Sequence, residues 1–335
     1  MSLFERSLLA TIAWFDMFDY PLTPWETWKW RMETIKDRQE DGRKSEATYL
    51  DVLDALQGLA ARGLLETKWS FFFLAGRESI VEIRRTRYVL AMDKIKRAMR
   101  VVRVLRFIPW VRMISVCNSL GYANARAESD IDLFIITAPH RVWTVRGIAL
   151  LFLRLFHLRP LLARFGALRD EKTDRIDLSF FVDATSLDIS GLALREGAIS
   201  SREQKIPDFL PDPYLSYWML HQVPLWDGYG DYMRFWDANT FLRASLPSCA
   251  PCRLNNTRVI KGGLFVQSIF RVLLVWVPEQ WMKKLQLWVM PRRLRESKEG
   301  GVALTEHVLK FHDIDPRAQF RAHWMAKVEI LWALE

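Results

Sequence analysis

The sequence predicts an α+β protein whose small mixed β-sheet is flanked by helical regions on both sides. Strand-like apolar runs are concentrated between residues 111 and 182, whereas helical periodicity dominates the chain before and after them. Hydrophobic residues make up 50% of the 335 positions, which is sufficient for buried cores and excludes a disordered chain. At about 150 residues per domain, this length corresponds to two or three domains.

Residues 1–78 are predicted to form one unit of three helices followed by a β-hairpin, which is the element order of a winged-helix domain. The motif Thr23-Pro24-Trp25-Glu26 combines a capping box with proline at the first helical position, so it starts the second helix, which runs to about Thr34. The third helix is predicted to begin near Ser45 and to end before Gly63, because glycine favours the position after a helix.

Residues 79–108 are predicted to form a connecting helix, since apolar side chains recur there every three or four positions. Its many arginines and lysines are expected on a solvated face. Residues 109–185 are predicted to form the sheet, and residues 186–335 a mainly helical C-terminal region. The predicted sheet segment comprises strands at 111–117, 130–137 and 175–182, and a helix from Val142 to about Phe165.

Charge and cysteine content limit the class of protein. The formal net charge is +9 with a pI near 9.5, which favours polyanionic partners such as nucleotides, nucleic acid or anionic lipid. Three cysteines exclude a disulfide-built scaffold. Cys249 and Cys252 form a lone C-x-x-C, which falls short of the four ligands that structural zinc requires.

Two apolar stretches, residues 148–158 and 264–277, resemble membrane segments. Both are shorter than the roughly 20 residues that a span needs, and each contains an arginine. They are predicted to be buried or amphipathic helices, with association with a membrane surface as the alternative. The N-terminus does not match a signal peptide, so we expect a cytoplasmic protein with no transmembrane span.

The tryptophans of the C-terminal region stand in helical patterns rich in apolar residues. This placement predicts that they pack in a helical core. Stacking on nucleobases is the alternative, because every base offers a π-face. The tryptophans in question include Trp276, Trp281, Trp288 and Trp324.

The chemistry is concentrated between Asn118 and Leu133. On a strand, Asp130 and Asp132 point to the same face, about 7 Å apart. Neighbouring carboxylates repel each other unless a cation neutralises them, and hard oxygen ligands suit Mg²⁺. If the following strand lies alongside, Asp177 supplies a third carboxylate. Three carboxylates can hold two metal ions about 3.5–4 Å apart, the arrangement used for in-line phosphoryl or nucleotidyl displacement.

The turn before these aspartates, Asn118-Ser119-Leu120-Gly121, offers backbone N–H groups and a hydroxyl suited to phosphates. Ser119 stands ten residues before Ser129, and Ser129-Asp130-Ile131-Asp132-Leu133 follows. This spacing resembles the polymerase-beta-like nucleotidyltransferase superfamily, over about 70 residues within 111–182. The flanking helical regions look like the multidomain bacterial members, whose substrates are generally unassigned.

The resemblance implies an enzyme that transfers a nucleoside monophosphate from an NTP such as ATP to an acceptor and releases pyrophosphate. The acceptor could be a small molecule, an RNA or a protein. Two Mg²⁺ ions, or Mn²⁺ in their place, are implied as cofactors. The implied catalytic and metal-binding residues are Asp130, Asp132 and Asp177, and the implied nucleotide-binding residues are Asn118, Ser119, Gly121, Ser129, Arg126 and Arg146.

One departure from the family pattern keeps other functions open. Asn118 stands where the family has glycine, although asparagine is the next most tolerant residue for a left-handed turn. The alternatives are a winged-helix regulator that senses nucleotide, or an adaptor or antitoxin-type partner with an inactive site. The third helix carries acidic Glu46, Asp51 and Asp54 and only Arg62 as a terminal arginine, so we expect no sequence-specific DNA binding.

Overall fold

The computed structural model describes residues 1–33, 47–156, 175–194, 212–244, 246–254, 258–295, 302–311 and 315–334. These residues form an α+β fold with a six-stranded mixed sheet and a separate two-stranded hairpin, as the sequence predicts at this level. Within these ranges, no helix combines the length and the apolar content that a membrane span requires.

The N-terminal unit has three described helices followed by an antiparallel hairpin, in the predicted order. They are α1 (Leu3–Asp16), α2 (Pro24–Trp30), α3 (Tyr49–Ala61), β1 (Leu65–Lys68) and β2 (Phe71–Leu74). The capping box at Thr23 and Glu26 starts α2 as predicted, and equivalent boxes start α1 and α3. Helix α2 ends at Trp30, short of the predicted end at Thr34, and Ser45 lies outside the described residues.

The predicted connecting helix is present as a long helix. It is α4 (Ile80–Leu105). The prediction that its basic residues lie on a solvated face is wrong for three of them. Arg84 pairs with Glu26 of α2 at 2.7 Å, and Arg87 and Lys94 are also turned inward. Helical spacing places these three on one face, so they tie α4 to the rest of the molecule.

The six-stranded sheet has the order β6-β3-β4-β5-β8-β7. Strands β3 and β4 are antiparallel, whereas β4 and β5 are parallel and are joined through helix α5. The strands are β3 (Val111–Val116), β4 (Ile131–Thr137), β5 (Ile176–Asp183), β6 (Val223–Asp227), β7 (Val302–Leu304) and β8 (Val308–Phe311).

Helices are the main elements of the described part of the C-terminal region, and this region also supplies β6, β7 and β8 to the sheet. These strands have only three to five residues, and β6 contains Pro224, which an edge strand tolerates. Such short strands give almost no periodic signal. The remaining helices are α5 (Val142–Leu155), α6 (Pro213–Leu220), α7 (Asp231–Ala238), α8 (Thr240–Arg243), α9 (Leu264–Leu274), α10 (Glu279–Val289), α11 (Arg292–Arg295) and α12 (Arg317–Ala333).

Helices cover both faces of the sheet. Phe134 of β4 points into one core, together with Trp14 of α1, Trp218 of α6 and Trp324 of α12. Its neighbour Ile135 points into the opposite core, which α4 and α5 cover. The N-terminal unit and the C-terminal helix therefore share a core with one face of the sheet.

The prediction of a tryptophan-filled helical core is correct for Trp324 and wrong for three other residues. Trp324 is buried and donates its indole N–H to the carbonyl oxygen of Ala10. Trp276, Trp281 and Trp288 are instead 88%, 72% and 80% exposed. Apolar periodicity indicates a helical face but does not show whether another part of the chain covers it.

Candidate functional site

Three carboxylates meet where two parallel strands begin. Asp132 of β4 and Asp177 of β5 are register partners, so their side chains leave the same face of the sheet. Asp130 directly precedes β4 and accepts a hydrogen bond from the backbone N–H of Arg175. The predicted placement of Asp177 beside the Asp130-x-Asp132 motif is therefore confirmed.

Burial and mutual repulsion disfavour the charged forms of these acids. Burial raises the pKa of Asp132 to about 7; a hydrogen bond from Asn118 opposes this shift, and repulsion from Asp177 and Asp130 adds to it. Burial, followed by repulsion from Asp177, also raises the pKa of Asp130. The Oδ1 atom of Asp130 is buried without a hydrogen-bond partner. Carboxylates that repel one another in this way can bind a hard divalent cation, which neutralises their charge.

The turn before the aspartates accommodates asparagine at position 118. This residue begins a single 3₁₀ turn and has φ +54°, a left-handed conformation that asparagine tolerates well. Gly121 N–H donates to the carbonyl oxygen of Asn118 at 3.0 Å, and Asn124 N–H donates to that of Ser119 at 2.8 Å. The Asn118 side chain bonds to Asp132, so it orients a carboxylate of the predicted metal site.

Gly121 is required for close packing rather than for a strained torsion. A Cβ atom at this position would lie 2.0 Å from the carbonyl oxygen of His221. Its φ is −60°, an ordinary helical value. The structure thus gives Gly121 a packing role beneath the turn.

A cleft of about 340 Å³ lies beside this turn, a size within the usual range of ligand sites. It has a polar wall and an aromatic wall. The polar wall contains Arg87, Asn118, Ser119, Asn124, Arg126 and Ser129, and the aromatic wall includes Phe15, Phe18, Tyr122, Tyr214, Trp218 and Phe320.

The aromatic wall also contains a neutral histidine. Burial lowers the pKa of His221 to about 4, so its imidazole carries no charge at neutral pH. Its Nδ1–H donates to the carbonyl oxygen of Tyr217 at 2.7 Å. Its Nε2 is therefore a hydrogen-bond acceptor, and it is buried without a partner in the described residues.

Two inward-facing basic residues of α4 support the site, and the sequence analysis did not identify them. Arg87 lines the cleft and joins the N-terminal unit to the turn by donating to Phe18 O, Asp19 and Asn124. Lys94 is 4% exposed and donates to the carbonyl oxygen of Ser129 at 2.5 Å and to that of Ala127 at 3.0 Å. Both residues share a helical face with the small apolar residues Ala91 and Ala98, and this pattern in the sequence indicates a face that packs inward.

The other predicted nucleotide-binding residues have different surroundings. Arg126 and Ser129 line the cleft, and the Ser129 hydroxyl donates to the Arg126 carbonyl oxygen at 2.8 Å, which closes the turn before Asp130. Arg146 does not line the cleft, which corrects the prediction. It lies on α5, donates to Gln286 at 2.6 Å and stacks over the ring of Phe311.

A second cluster of potential metal ligands lies at the far end of β5. Nitrogen and oxygen atoms of His140, Asp183 and His307 are within 4.8 Å of one another. The Asp183 carboxylate already accepts four hydrogen bonds, from His140 N–H, His307 Nδ1 and both the N–H and the hydroxyl of Thr185. These hydrogen bonds give the cluster a structural role, because they connect the end of β5 to the β7–β8 hairpin.

Comparison of the chain with family models, curated proteins and solved structures gives no match. Function is therefore inferred from the geometry of the site. That geometry places three carboxylates and a serine-bearing turn at one end of the sheet, and a partly open cleft lined by arginines and aromatic rings beside the turn. These groups suit a divalent cation and a phosphorylated ligand with a planar ring.

Proposed function

We propose that this chain is a metal-dependent nucleotidyltransferase of the polymerase-beta-like type. It would transfer a nucleoside monophosphate from an NTP to an acceptor and release pyrophosphate. The observation that carries the proposal is the register pairing of Asp132 with Asp177, which brings the third carboxylate to the Asp130-x-Asp132 motif.

The donor set fits the divalent cation that this reaction requires. Asp130, Asp132 and Asp177 would hold Mg²⁺, with Mn²⁺ as the alternative, and two ions are expected. The raised pKa values of Asp130 and Asp132 and the unpartnered oxygen of Asp130 support this fit. When bound, the metal would supply positive charge that stabilises the phosphates during displacement.

The polar wall of the cleft supplies groups for the phosphates. The Ser119 hydroxyl and the Arg126 and Arg87 guanidinium groups line it, and arginine binds phosphate oxygens in a bidentate manner. Asn118 has a different role from the one that the resemblance implies. Its side chain bonds to Asp132, so it would position the carboxylate rather than contact a phosphate.

The aromatic wall suits a nucleobase. Aromatic side chains stack on any base without reading its identity, because stacking requires little more than a flat apolar surface. The unpartnered Nε2 of His221 is an acceptor for an exocyclic amino group of such a base. The same wall would also accept the apolar part of a small-molecule acceptor.

The N-terminal unit, which we propose to be a winged-helix domain, is part of this site. Phe15 of α1 and Phe18, just after that helix, lie in the cleft wall, and Asp19 pairs with Arg87. We propose that the unit completes the substrate cleft and docks partners, instead of reading DNA. Asn118 motivated the alternative of an inactive site; its left-handed conformation, which asparagine tolerates, supports the active alternative.

The direct test incubates the full chain with each labelled NTP and Mg²⁺, measures pyrophosphate release, and analyses cell-extract acceptors by mass. Nucleotide binding, followed by fluorescence, provides a readout that needs no acceptor. Asp132→Asn and Asp177→Asn should abolish Mg²⁺-dependent binding and turnover. The matched control Asp237→Asn, at a carboxylate 70% exposed on α7, should leave both unchanged. Equal Mg²⁺-dependent activity in all three variants contradicts the proposal.

A further inference from the structure

Helix α9 directs Gln267 and Arg271 toward the protein and most of its apolar side chains toward solvent. Gln267 is fully buried and donates to the carbonyl oxygens of Ile108 and Val111 at 3.1 and 2.8 Å. On the outer side, Phe265 is 80% exposed and Val272 is 73% exposed. A helix of a soluble domain normally buries its apolar face, so this arrangement requires a covering surface.

Helix α10 continues the same exposed surface. Its inner side contacts α5, where Gln286 donates to the carbonyl oxygen of Trp143 at 2.6 Å. Its outer side presents Trp281 and Trp288 at helical spacing, and Trp276 stands in the connection between the two helices. We call this the α9–α10 surface, and its most exposed members are Phe265, Val272, Leu273, Trp276, Trp281 and Trp288.

The segment that carries this surface is strongly basic. Residues 261–295 contain seven basic residues and one acidic residue, which accounts for six of the nine excess positive charges of the chain. The acidic residue, Glu279, is engaged internally, because its carboxylate accepts hydrogen bonds from the backbone N–H groups of Trp143 and Thr144. Lys283 pairs with Glu306, which lies outside this segment. The surface therefore combines exposed apolar and aromatic groups with an excess of positive charge within its own segment.

We propose that the α9–α10 surface docks the protein onto an anionic lipid bilayer. Tryptophan favours the interface between headgroups and acyl chains, and lysine and arginine bind anionic headgroups. Each helix has 11 residues, a length of about 16 Å, so the pair would lie in the interface rather than cross the bilayer.

The charge pattern favours lipid over the other possible occupants. A second copy of the chain would bring the same positive segment against itself, which is repulsive. Nucleic acid would satisfy the charges but would leave Val272 and Leu273 without an apolar environment. An anionic bilayer satisfies both, and this inference stands independently of the proposed reaction.

The test is flotation of the full chain with vesicles of phosphatidylcholine alone or with about 30% phosphatidylserine. We expect at least about tenfold stronger binding to the anionic vesicles, since each basic residue near such a surface contributes on the order of 1 kcal/mol and two of them exceed the roughly 1.4 kcal/mol of a tenfold change. Tryptophan fluorescence should be quenched by lipids brominated in their acyl chains. The double variant Phe265→Ser/Trp276→Ser should bind at least about tenfold more weakly.

The control is Trp25→Ser/Phe241→Ser, which removes two aromatic side chains 56% and 53% exposed elsewhere. It should bind as the parent does, and circular dichroism should show both double variants folded. The proposal is overturned if the protein does not float with anionic vesicles. It is also overturned if high salt abolishes the binding and lipids with brominated acyl chains do not quench the tryptophan fluorescence. If the parent does not bind vesicles but forms a dimer in sedimentation velocity, and Phe265→Ser/Trp276→Ser dissociates that dimer, the surface serves self-association instead.

Discussion

Asp132 and Asp177 are register partners on the parallel strands β4 and β5, with Asp130 one residue before β4. The pairing concentrates negative charge at one end of the sheet, and it raises the pKa of Asp132 in addition to the effect of burial. Without a cation, this arrangement opposes folding at neutral pH. The site is therefore expected to make metal binding, protonation and stability interdependent.

Asp132→Asn should leave the metal-free protein as stable as the parent at pH 7.5, or more stable by about 1–2 kcal/mol. The folded-state pKa of Asp132, about 7, lies above its ordinary value of 3.8. The folded state then binds more protons between these pH values, so this group stabilises the parent at low pH and the contribution is lost as pH rises. Asparagine removes that dependence.

Urea denaturation in EDTA at pH 5 and pH 7.5 measures this effect. The parent should lose more stability between the two pH values than Asp132→Asn does. If the variant loses more than about 2 kcal/mol at pH 7.5, Asp132 is a structural hydrogen-bond partner and not a repelled carboxylate.

Mg²⁺ binding should strengthen with pH up to about 7 and then level off. Below the pKa of Asp132, which is about 7, the metal must displace a proton. Affinity should therefore rise by about tenfold per pH unit below that value. Calorimetry in buffers of different ionisation enthalpy should detect about one proton released at pH 6 and almost none at pH 8. A pH-independent affinity would show that Asp132 does not ligate the ion.

The sequence predicts those parts of the site that local rules determine. Capping at Thr23, alternation along β4 and the spacing from Ser119 to Asp130 depend on near neighbours, and the structure agrees with them. The inward direction of Arg87 and Lys94 depends on which surfaces pack against α4, and local charge pattern gave the opposite expectation.

The exposure of the C-terminal tryptophans also depends on how helices pack, and here side chains predicted to be buried are exposed. Trp276 and Trp288 belong to apolar helical patterns that usually indicate a core. On each helix a glutamine faces the protein: Gln267 of α9 donates to Ile108 O and Gln286 of α10 donates to Trp143 O, so the apolar sides face outward. These inward hydrogen bonds accompany a helix orientation that hydrophobic periodicity does not reveal.

Lys94→Met should weaken Mg²⁺-dependent nucleotide binding, although Lys94 is expected to touch neither ligand. Its ammonium group binds the carbonyl oxygens of Ala127 and Ser129 and so holds the segment that leads into Asp130. Methionine has a similar length but no donor, so these carbonyl groups lose their partner at a cost of about 1–3 kcal/mol.

The matched control is Lys96→Met on the same helix, where the lysine is 73% exposed. This control should bind nucleotide as the parent does. Titration of fluorescent nucleotide at several Mg²⁺ concentrations compares the two variants, and thermal melts show whether each is folded. Equal nucleotide affinities in Lys94→Met and the parent would contradict a positioning role.

Gly121→Ala should destabilise the protein by about 2 kcal/mol or more, because the added methyl group overlaps the carbonyl oxygen of His221. Gly58→Ala is the matched control. Gly58 lies within α3, and a methyl group added there would meet open space, so alanine should stabilise by about 0.5–1 kcal/mol. Urea denaturation of both variants should give changes of opposite sign. A neutral Gly121→Ala would mean that the turn and His221 separate at little cost.

The N-terminal unit should contribute little sequence-specific affinity for DNA. Helix α3 presents Asp51 and Asp54 as exposed acids, and Arg62 at its end pairs with Glu5 of α1. These charges repel a polyanion, and the side chains lack the amide and guanidinium groups that read base edges. Any affinity of the chain for DNA should then come from phosphate contacts made by its basic residues. Such affinity falls by about 0.9 log units per log unit of salt for each phosphate neutralised.

The measurement is a binding titration of the full chain on random duplexes and on duplexes enriched by selection, each at two salt concentrations. We expect the two classes of duplex to bind equally and to show the same salt slope, since phosphate contacts carry no sequence information. Reversing the acidic face with Asp51→Lys/Asp54→Lys should strengthen binding to both classes alike. If a selected duplex binds about a hundredfold more tightly than random DNA at physiological salt, α3 or the β1–β2 hairpin reads bases. The regulator would then become the better description of this chain than the enzyme.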